Sequence, residues 1–401
     1  MGGILNQTSA TKAASNREAW AFVLISFALS RLLFLGVGAA AATYLPQADP
    51  AGDPLEPPGL LSYWAYWDGA WYSQIAAEGY GEMAPVSTAF FPLYPILVRL
   101  GMVFGGGPAL WGVLISLLAA TFALFFFYRI AEKLYDTRAA RAATLALAFF
   151  PTAFFLNAVY SEAPFLAFST GAVWAALVRR NLLLAGVFGA LAAATRNLGV
   201  VLVLPLLFEW LRHRREFGVR GLAGIALIPA GFLGYAGFLW GRFGDPLVSA
   251  RQQDEHWGRE LANPLTTLGD ARRAAGDGLW YLLDPETLFL SASATPTLEA
   301  SNTLNLAFLA LFLILLLAGL FVLPPELLLY VLVVVLLPVL TPAPSFPLMS
   351  LPRFLLGAFP AFLVLGYLLS RSRPALVLWL LLSAGTGVAL TALFTTWRWV
   401  A

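Results

Sequence analysis

The residues best suited to chemistry in this sequence lie in short polar clusters between long apolar runs. Only 11% of the 401 residues are charged, whereas 60% are hydrophobic. One carboxylate, Asp68, stands among aromatic residues in the stretch YWAYWDGAWYSQIAAEGY (63–80). Because a positioned carboxylate can accept a proton from a hydroxyl, Asp68 is the first candidate for a general base. Its alternative role is to cap a short helix that starts at Gly69.

Three further clusters bring residues that complement such a base. NAVYSEAPF contains Tyr160 and Glu162, AATRNLGV contains Arg196 and Asn197, and SLPRFLLGAFP contains Arg353. A guanidinium donates two parallel hydrogen bonds to a phosphate and keeps its charge near lipid. We therefore predict that the two arginines bind a phosphate group, with interfacial snorkelling as the alternative.

Glu162 has several open roles: it binds a sugar hydroxyl, assists Asp68, holds a cation with Asp68, or interacts with the start of a helix near Pro164. Two oxygen ligands in distant segments do not define a metal site, so no cofactor is required, and a divalent cation stays open. His256 is interpreted as a surface residue. For Arg251 and Arg259 an interfacial position is favoured over phosphate binding.

Aromatic and amide side chains complete the predicted substrate site. Those assigned to it are Trp67, Tyr94 of AFFPLYP, Tyr160, Asn197, and both Gln252 and Trp257 of GDPLVSARQQDEHW. Their aromatic faces offer surfaces on which sugar rings can stack. An interfacial aromatic belt is the alternative explanation for the tryptophans and tyrosines.

The elements that position these residues are predicted to be membrane-spanning helices. The mean hydropathy is +0.77, and many apolar runs approach the roughly 20 residues that a helix needs to cross a bilayer. The eleven candidate spans are 20–44, 110–128, 142–158, 163–177, 182–194, 198–211, 222–240, 304–323, 327–340, 354–369 and 376–394. The sequence therefore predicts an all-α polytopic membrane protein forming one domain over 1–401, with two long extracytoplasmic loops (45–109 and 242–303) that contain short interfacial helices.

Charge distribution predicts the orientation of these spans. If the N-terminus is cytoplasmic, the cytoplasmic segments collect 14 of the 24 basic residues, in agreement with the positive-inside rule. The predicted catalytic residues then lie on the extracytoplasmic side. The net charge of +2 gives no sign of a nucleic-acid partner, and the absence of cysteine excludes disulfides, thiolate metal sites and cysteine nucleophiles.

The ordered set of motifs resembles the PIG-V type mannosyltransferases, the family of the second GPI mannosyltransferase and its bacterial relatives. WDGAWYSQIAAEGY, AFFPLYP, NAVYSEAPF, ATRNLGV, GDPLVSARQQDEHWGR and PRFLLGAFP carry this resemblance across 31–365. The resemblance implies a GT-C glycosyltransferase, a multispan enzyme that uses a polyprenyl-phosphate sugar, usually mannose. It also implies that the acid of the first extracytoplasmic loop, Asp68, is catalytic. A count of 22 arginines against two lysines favours a bacterial cytoplasmic membrane protein.

One base is enough for the implied reaction. A double displacement that retains configuration needs a nucleophile and an acid/base about 5 Å apart, whereas direct displacement of a phosphate needs no acid, so inversion is expected. The partners would be a polyprenyl-phosphate sugar, a glycan, glycolipid or glycoprotein acceptor, and the bilayer. The alternatives are a secondary transporter or flippase, and a non-catalytic subunit of a glycosylation complex.

The predicted orientation can be tested by labelling. In this cysteine-free chain, cysteines introduced at Ser73 and Arg220 should react with an impermeant thiol reagent from opposite sides of the membrane. Labelling of both positions from one side would contradict the orientation.

Overall fold

The computed structural model describes residues 15–49, 61–80 and 85–401. Within these ranges the chain is almost entirely helical, and its β-type pairing is limited to an isolated bridge between Asp49 and Ser293. The α-helices in chain order are α1 (Asn16–Tyr44), α2 (Asp68–Glu78), α3 (Leu93–Met102), α4 (Pro108–Leu134), α5 (Thr137–Ala148), α6 (Glu162–Leu177), α7 (Leu182–Thr195), α8 (Val203–Arg212), α9 (Arg214–Phe243), α10 (Val248–Trp257), α11 (Pro264–Leu282), α12 (Pro285–Leu290), α13 (Thr295–Val322), α14 (Pro325–Leu340), α15 (Leu351–Phe354), α16 (Phe359–Leu369) and α17 (Arg373–Phe394).

Five of the described helices are long and apolar enough to cross a membrane: α1, α4, α9, α13 and α17. A sixth span results if 351–357 and α16, which meet at 82°, are counted together. The remaining predicted spans correspond to shorter helices, so the count of eleven is not confirmed. The protein is nevertheless an all-α polytopic membrane protein, as the hydropathy predicts.

The span predicted at 142–158 is interrupted in the structure. Helix α5 ends at Ala148, and the chain then runs irregularly through Pro151 into the short 3-10 helix Ala153–Leu156. A proline disfavours helical conformation in the residue before it and lacks an N–H, so the helix stops here. The polar residues around Asn157 therefore follow a break instead of ending a straight helix.

Arg31 of α1 makes this break tolerable. Its guanidinium, 3% exposed, donates to the carbonyl oxygens of Ala148 at 2.8 Å and Ala153 at 2.7 Å, and to Oδ1 of Asn157 at 2.8 Å. Carbonyl groups at a helix end that lies in an apolar region need such donors. A charged residue in a membrane span is costly unless it has partners within the protein, and these contacts supply them.

Helices α7 and α9 approach each other unusually closely. A Cβ on Gly186 would come within 1.8 Å of the carbonyl oxygen of Gly224, and one on Gly231 within 2.0 Å of the carbonyl oxygen of Ala190. Only small residues permit contact between backbones at this distance. Helix α7 also packs on α6, and α6 on α4, so these helices form one continuous side of the bundle.

Both long loops contain the predicted short helices. The described part of the first loop forms α2 and α3, and the second forms α10, α11 and α12. Residues 50–60 and 81–84 of the first loop, as well as Lys12, lie outside the described residues. Ser73 is buried, so the exposed Asp254 is the better position for extracytoplasmic labelling.

We expect Arg31→Met to destabilise the protein. Each buried acceptor left without a donor costs about 1–3 kcal/mol, so the variant should unfold at a clearly lower temperature in detergent. Arg17→Met, on an exposed position of the same helix, is the matched control and should change stability by less than about 0.5 kcal/mol. Equal melting temperatures for both variants would show that the break does not depend on Arg31.

Candidate functional site

A cavity of about 390 Å³ lies between the N-terminal ends of α2 and α6, the C-terminal end of α7, and helices α9, α10, α14 and α15. The charged residues on its wall are Asp68, Glu162, Arg196, Arg259 and Arg353. They come from segments spread over nearly 300 positions of the chain. The four clusters of the sequence thus meet, and the second long loop adds one charged residue, Arg259.

Arg353 joins the two carboxylates of the cavity. Its Nη1 lies 2.7 Å from Oδ2 of Asp68, and its Nε lies 3.2 Å from Oε1 of Glu162. The guanidinium also packs against the ring of Tyr160, with 5.2 Å between the guanidinium carbon and the ring centroid. A single cation therefore fixes the relative position of both acids.

The carboxylates differ in accessibility. The side chain of Asp68 is 22% exposed, whereas that of Glu162 is 3% exposed. Glu162 also pairs with Arg196, whose Nη1 lies 2.6 Å from Oε1, while Oε2 of Glu162 has no hydrogen-bond partner among the described residues. Asp68 is the acid that a substrate can reach, and Glu162 offers one buried acceptor atom without a donor.

Three guanidinium groups surround the ring of Phe354. The guanidinium carbons of Arg196, Arg259 and Arg353 lie 5.1, 5.5 and 5.1 Å from its centroid. An aromatic face attracts cations, so one ring helps to hold three like charges near each other. The cavity consequently has a strongly positive wall.

Arg259 differs from the other two arginines because it forms no ion pair within the described part of the chain. Its Nη2 donates to the carbonyl oxygen of Met349 at 3.1 Å, and Nη1 to that of Thr341 at 3.4 Å. Burial, together with the positive charge of the neighbouring Arg353, lowers the pKa of Arg259 to about 10. The side chain remains cationic at neutral pH, so three positive groups face two carboxylates and leave a surplus positive charge.

Backbone conformations near the cavity are strained. Trp67, which precedes Asp68, has φ +57°; Ser350, three residues before Arg353, has φ +66°; and Trp397 has φ +60°. Residues other than glycine rarely adopt such angles, and they concentrate where a site must be held in a fixed geometry. The strained backbone thus adjoins two of the charged side chains.

Six of the predicted site residues line this cavity: Asp68, Glu162, Arg196, Asn197, Trp257 and Arg353. Phe91 of AFFPLYP also lines it. Arg251 does not, since it pairs with Asp245. His256 is exposed at the surface, as expected.

Four predicted substrate contacts instead lie behind the cavity wall. Tyr94 is fully buried and donates to the carbonyl oxygen of Gly112 at 2.9 Å, which fastens α3 to α4. Tyr160 is 1% exposed, and its hydroxyl donates to the carbonyl oxygen of Tyr66 at 2.9 Å. In this structure both hydroxyls bind backbone carbonyls and neither tyrosine lines the cavity, so their contact with substrate stays a prediction.

Trp67 and Gln252 are the other two predicted contacts that do not line the cavity. Trp67 packs against two tryptophans of the segment after α17. Gln252 is buried and donates to Glu255, whereas its neighbour Gln253 lines the cavity. Adjacent side chains on a helix point about 100° apart, so only one of these two glutamines can face the cavity.

Two residues that line the cavity are not among the predicted site residues. The sequence favours an interfacial position for Arg259, and its place in the polar stretch WGRE after α10 is the signal that could have indicated a position in the site. Trp399 lines the cavity from the segment that follows α17, and no motif marked it. The spacing of more than 300 residues between Asp68 and Trp399 gave no sign that they lie in one site.

The positive charge between the carboxylates of Asp68 and Glu162 belongs to the side chain of Arg353. The described residues contain no group of three or more His, Cys, Asp or Glu side chains that could hold a metal ion. Arg353 lies between Asp68 and Glu162 and contacts both. Any role of a divalent cation would thus have to accommodate this arginine.

Comparison with known proteins supports the fold. Residues 87–229 match the family of dolichyl-phosphate-mannose-protein mannosyltransferases, which is less than half of the chain. No curated protein matches the sequence.

Among solved structures, the chain is similar to the oligosaccharyltransferase AglB from Archaeoglobus fulgidus in complex with an inhibitory peptide and a dolichol-phosphate. The TM-score is 0.50 at 13% identity, with 97% of this chain and 57% of that chain covered. The same archaeal enzyme with zinc and sulfate matches at a TM-score of 0.49 and 14% identity, covering 95% and 53%. The chain thus spans just over half the length of the solved chains it matches. It has the GT-C type of fold, whereas the narrower resemblance to the PIG-V group receives no separate support.

Proposed function

We propose that this protein is an inverting glycosyltransferase. It moves a mannosyl or related residue from a polyprenyl-phosphate sugar to an acceptor hydroxyl, with Asp68 as general base. The observation that carries the proposal is the composition of one cavity, in which an accessible carboxylate faces a positive wall with a surplus charge. The sugar in the proposal rests on the matched mannosyltransferase family and on the motif resemblance.

Asp68 suits the role of base because it combines accessibility with a fixed orientation. It is the more exposed of the two carboxylates, and Arg353 holds one of its oxygens. A base of this kind removes the hydroxyl proton as the acceptor attacks. Glu162, which is buried, is better suited to bind a hydroxyl of the donor sugar through its free Oε2.

The phosphate of the donor is assigned to the positive wall. Arg353 and Arg196 are already paired with carboxylates, whereas Arg259 bonds to carbonyl oxygens and has no ion pair among the described residues. A buried cation without a counterion is unfavourable, and an anionic ligand would compensate it. We therefore assign Arg259 as the main phosphate contact, with Arg196 beside it.

The polyprenyl tail is assigned to the apolar side of the cavity. Helix α9 contributes Phe232, Ala236 and Leu239 there, and α14 contributes Val334 and Leu337. A lipid tail remains in an apolar region while its phosphate reaches the polar end of such a cavity. AglB, which has a similar fold, was solved with a dolichol-phosphate, and this supports a polyprenyl phosphate as the class of ligand.

The reaction follows as a single displacement. The acceptor oxygen forms a bond to the anomeric carbon on the face opposite to the phosphate, and its proton passes to Asp68. The bond between the anomeric carbon and the phosphate oxygen breaks, and the electron pair leaves with the polyprenyl phosphate. The arginines stabilise this developing charge, so no acid is needed for departure. We place this site on the extracytoplasmic side of a bacterial cytoplasmic membrane, in agreement with the charge distribution.

Asp68→Asn is expected to abolish transfer while donor binding survives. The amide keeps the size of the side chain but cannot accept the proton, and loss of a general base typically lowers rates by roughly 10²- to 10⁴-fold. The measurement is transfer of radiolabelled mannose from polyprenyl-phosphate mannose to a membrane extract. Asp254→Asn, at an exposed position outside the cavity, serves as the control.

Near-normal turnover by Asp68→Asn would contradict the assignment of the base. A silent subunit of a glycosylation complex would likewise tolerate this change without loss of product. A flippase would move the lipid across vesicles without forming any glycosylated product, so product analysis separates these alternatives.

Arg259→Gln is expected to weaken binding of polyprenyl phosphate by roughly 10- to 100-fold, since a lost charge-assisted hydrogen bond costs about 1.5–3 kcal/mol. Arg259→Lys should restore binding only in part. Arg251→Gln, in the same loop but paired with Asp245, is the matched control and should leave affinity unchanged. Equal affinities for Arg259→Gln and wild type would place the phosphate elsewhere.

A further inference from the structure

The segment 395–401 that follows α17 is anchored firmly beside the cavity. Arg398 is fully buried, and its guanidinium donates to the carbonyl oxygens of Pro46 at 2.8 Å and Ser291 at 2.7 Å. The backbone N–H of Ala48 donates to the carbonyl oxygen of Thr396 at 3.0 Å. The segment is thus held by chain that follows α1 and by chain that precedes α13.

Two tryptophans of this segment pack around the residue that precedes Asp68. The ring of Trp397 stacks on Tyr66 with centroids 3.9 Å apart, and it meets Trp67 edge-on at 5.5 Å. Trp399 meets Trp67 edge-on at 5.1 Å and an interplanar angle of 84°. The indole N–H groups of Trp67 and Trp399 have no hydrogen-bond partner among the described residues, so packing alone sets these rings.

Of these three tryptophans, Trp399 is the one that lines the cavity. Its ring contacts Trp67, the residue that precedes Asp68 in the chain, and Asp68 lines the same cavity. Helices α9 and α14 contribute apolar residues to the cavity wall. The large, rigid ring provides apolar area at little conformational cost. A pyranose presents C–H groups on one face and hydroxyls at its edge, and a flat aromatic surface beside polar groups complements that shape.

We infer that Trp399 is a sugar-binding residue, the surface against which the hexosyl group of the donor packs while Asp68 faces the acceptor. This inference rests on the proposed function and adds to it the residue that distinguishes a sugar-bearing lipid from a bare lipid phosphate. Arg259 and Arg196 hold the phosphate, which both lipids share, whereas Trp399 contacts the hexose, which only the donor has.

The test compares the affinities of two lipids, polyprenyl-phosphate mannose and polyprenyl phosphate, for purified protein in detergent. Wild type should favour the mannose-bearing lipid. In Trp399→Ala this preference should fall about tenfold, the equivalent of one stacking contact, while affinity for polyprenyl phosphate stays within about twofold. Trp399→Phe keeps an aromatic face and should retain most of the preference.

Trp379→Ala is the matched control. Trp379 lies on α17, and its indole N–H is likewise buried without a partner, but the ring does not line the cavity. The Trp379→Ala variant should show the same preference between the two lipids as wild type.

Two outcomes would overturn the inference. An unchanged preference in Trp399→Ala would show that the hexose does not contact the ring. An equal loss of affinity for both lipids would show that Trp399 only maintains the structure around Trp67. If wild type binds the mannose-bearing lipid preferentially yet transfers no sugar, the proposed function fails while the sugar site stands, so the two failures are distinguishable.

Discussion

The contact of Arg353 with both Asp68 and Glu162 is the interaction on which the site depends. It brings together the first loop, the start of α6 and the short helix α15. Two buried or half-buried acids would repel each other without a cation between them. Several uncharged contacts support this arrangement, such as the hydroxyl of Thr152, which donates to the carbonyl oxygen of Pro352 at 2.9 Å. Ion pairs, as well as packing, thus fix the positions of the irregular segments between the helices.

The distribution of charge also explains why three arginines serve different purposes. Arg353 orients the acids, Arg196 forms a second ion pair with Oε1 of Glu162, and Arg259 remains without an ion pair in the described chain. A cavity with balanced charge would bind a neutral molecule equally well. The surplus charge favours an anion, and the apolar walls nearby favour one that carries a lipid tail.

The sequence predicts site residues best where a charged residue stands within an apolar segment. Asp68, Glu162, Arg196 and Arg353 are polar residues in apolar surroundings, and the structure brings them into one cavity. Tyr160 shares a motif with Glu162, and Tyr94 belongs to AFFPLYP. Their hydroxyls donate to backbone carbonyls of neighbouring segments, and residue type alone does not predict where a hydroxyl points. Hydropathy identified the helical membrane class but not the number of spans, because the break after α5 depends on Pro151 and on a distant arginine. Trp399 joins the site through tertiary contacts alone.

The close approach of α7 and α9 limits how a lipid can arrive. Backbone atoms of Gly186 and Gly224 are nearly in contact, which leaves no width for an isoprenoid chain between these helices. Their relative rotation is equally restricted, since any side chain turned into the interface would collide with backbone. A lipid of the proposed kind would therefore have to reach the cavity by a route other than the interface of α7 and α9, and these two helices form a rigid pair.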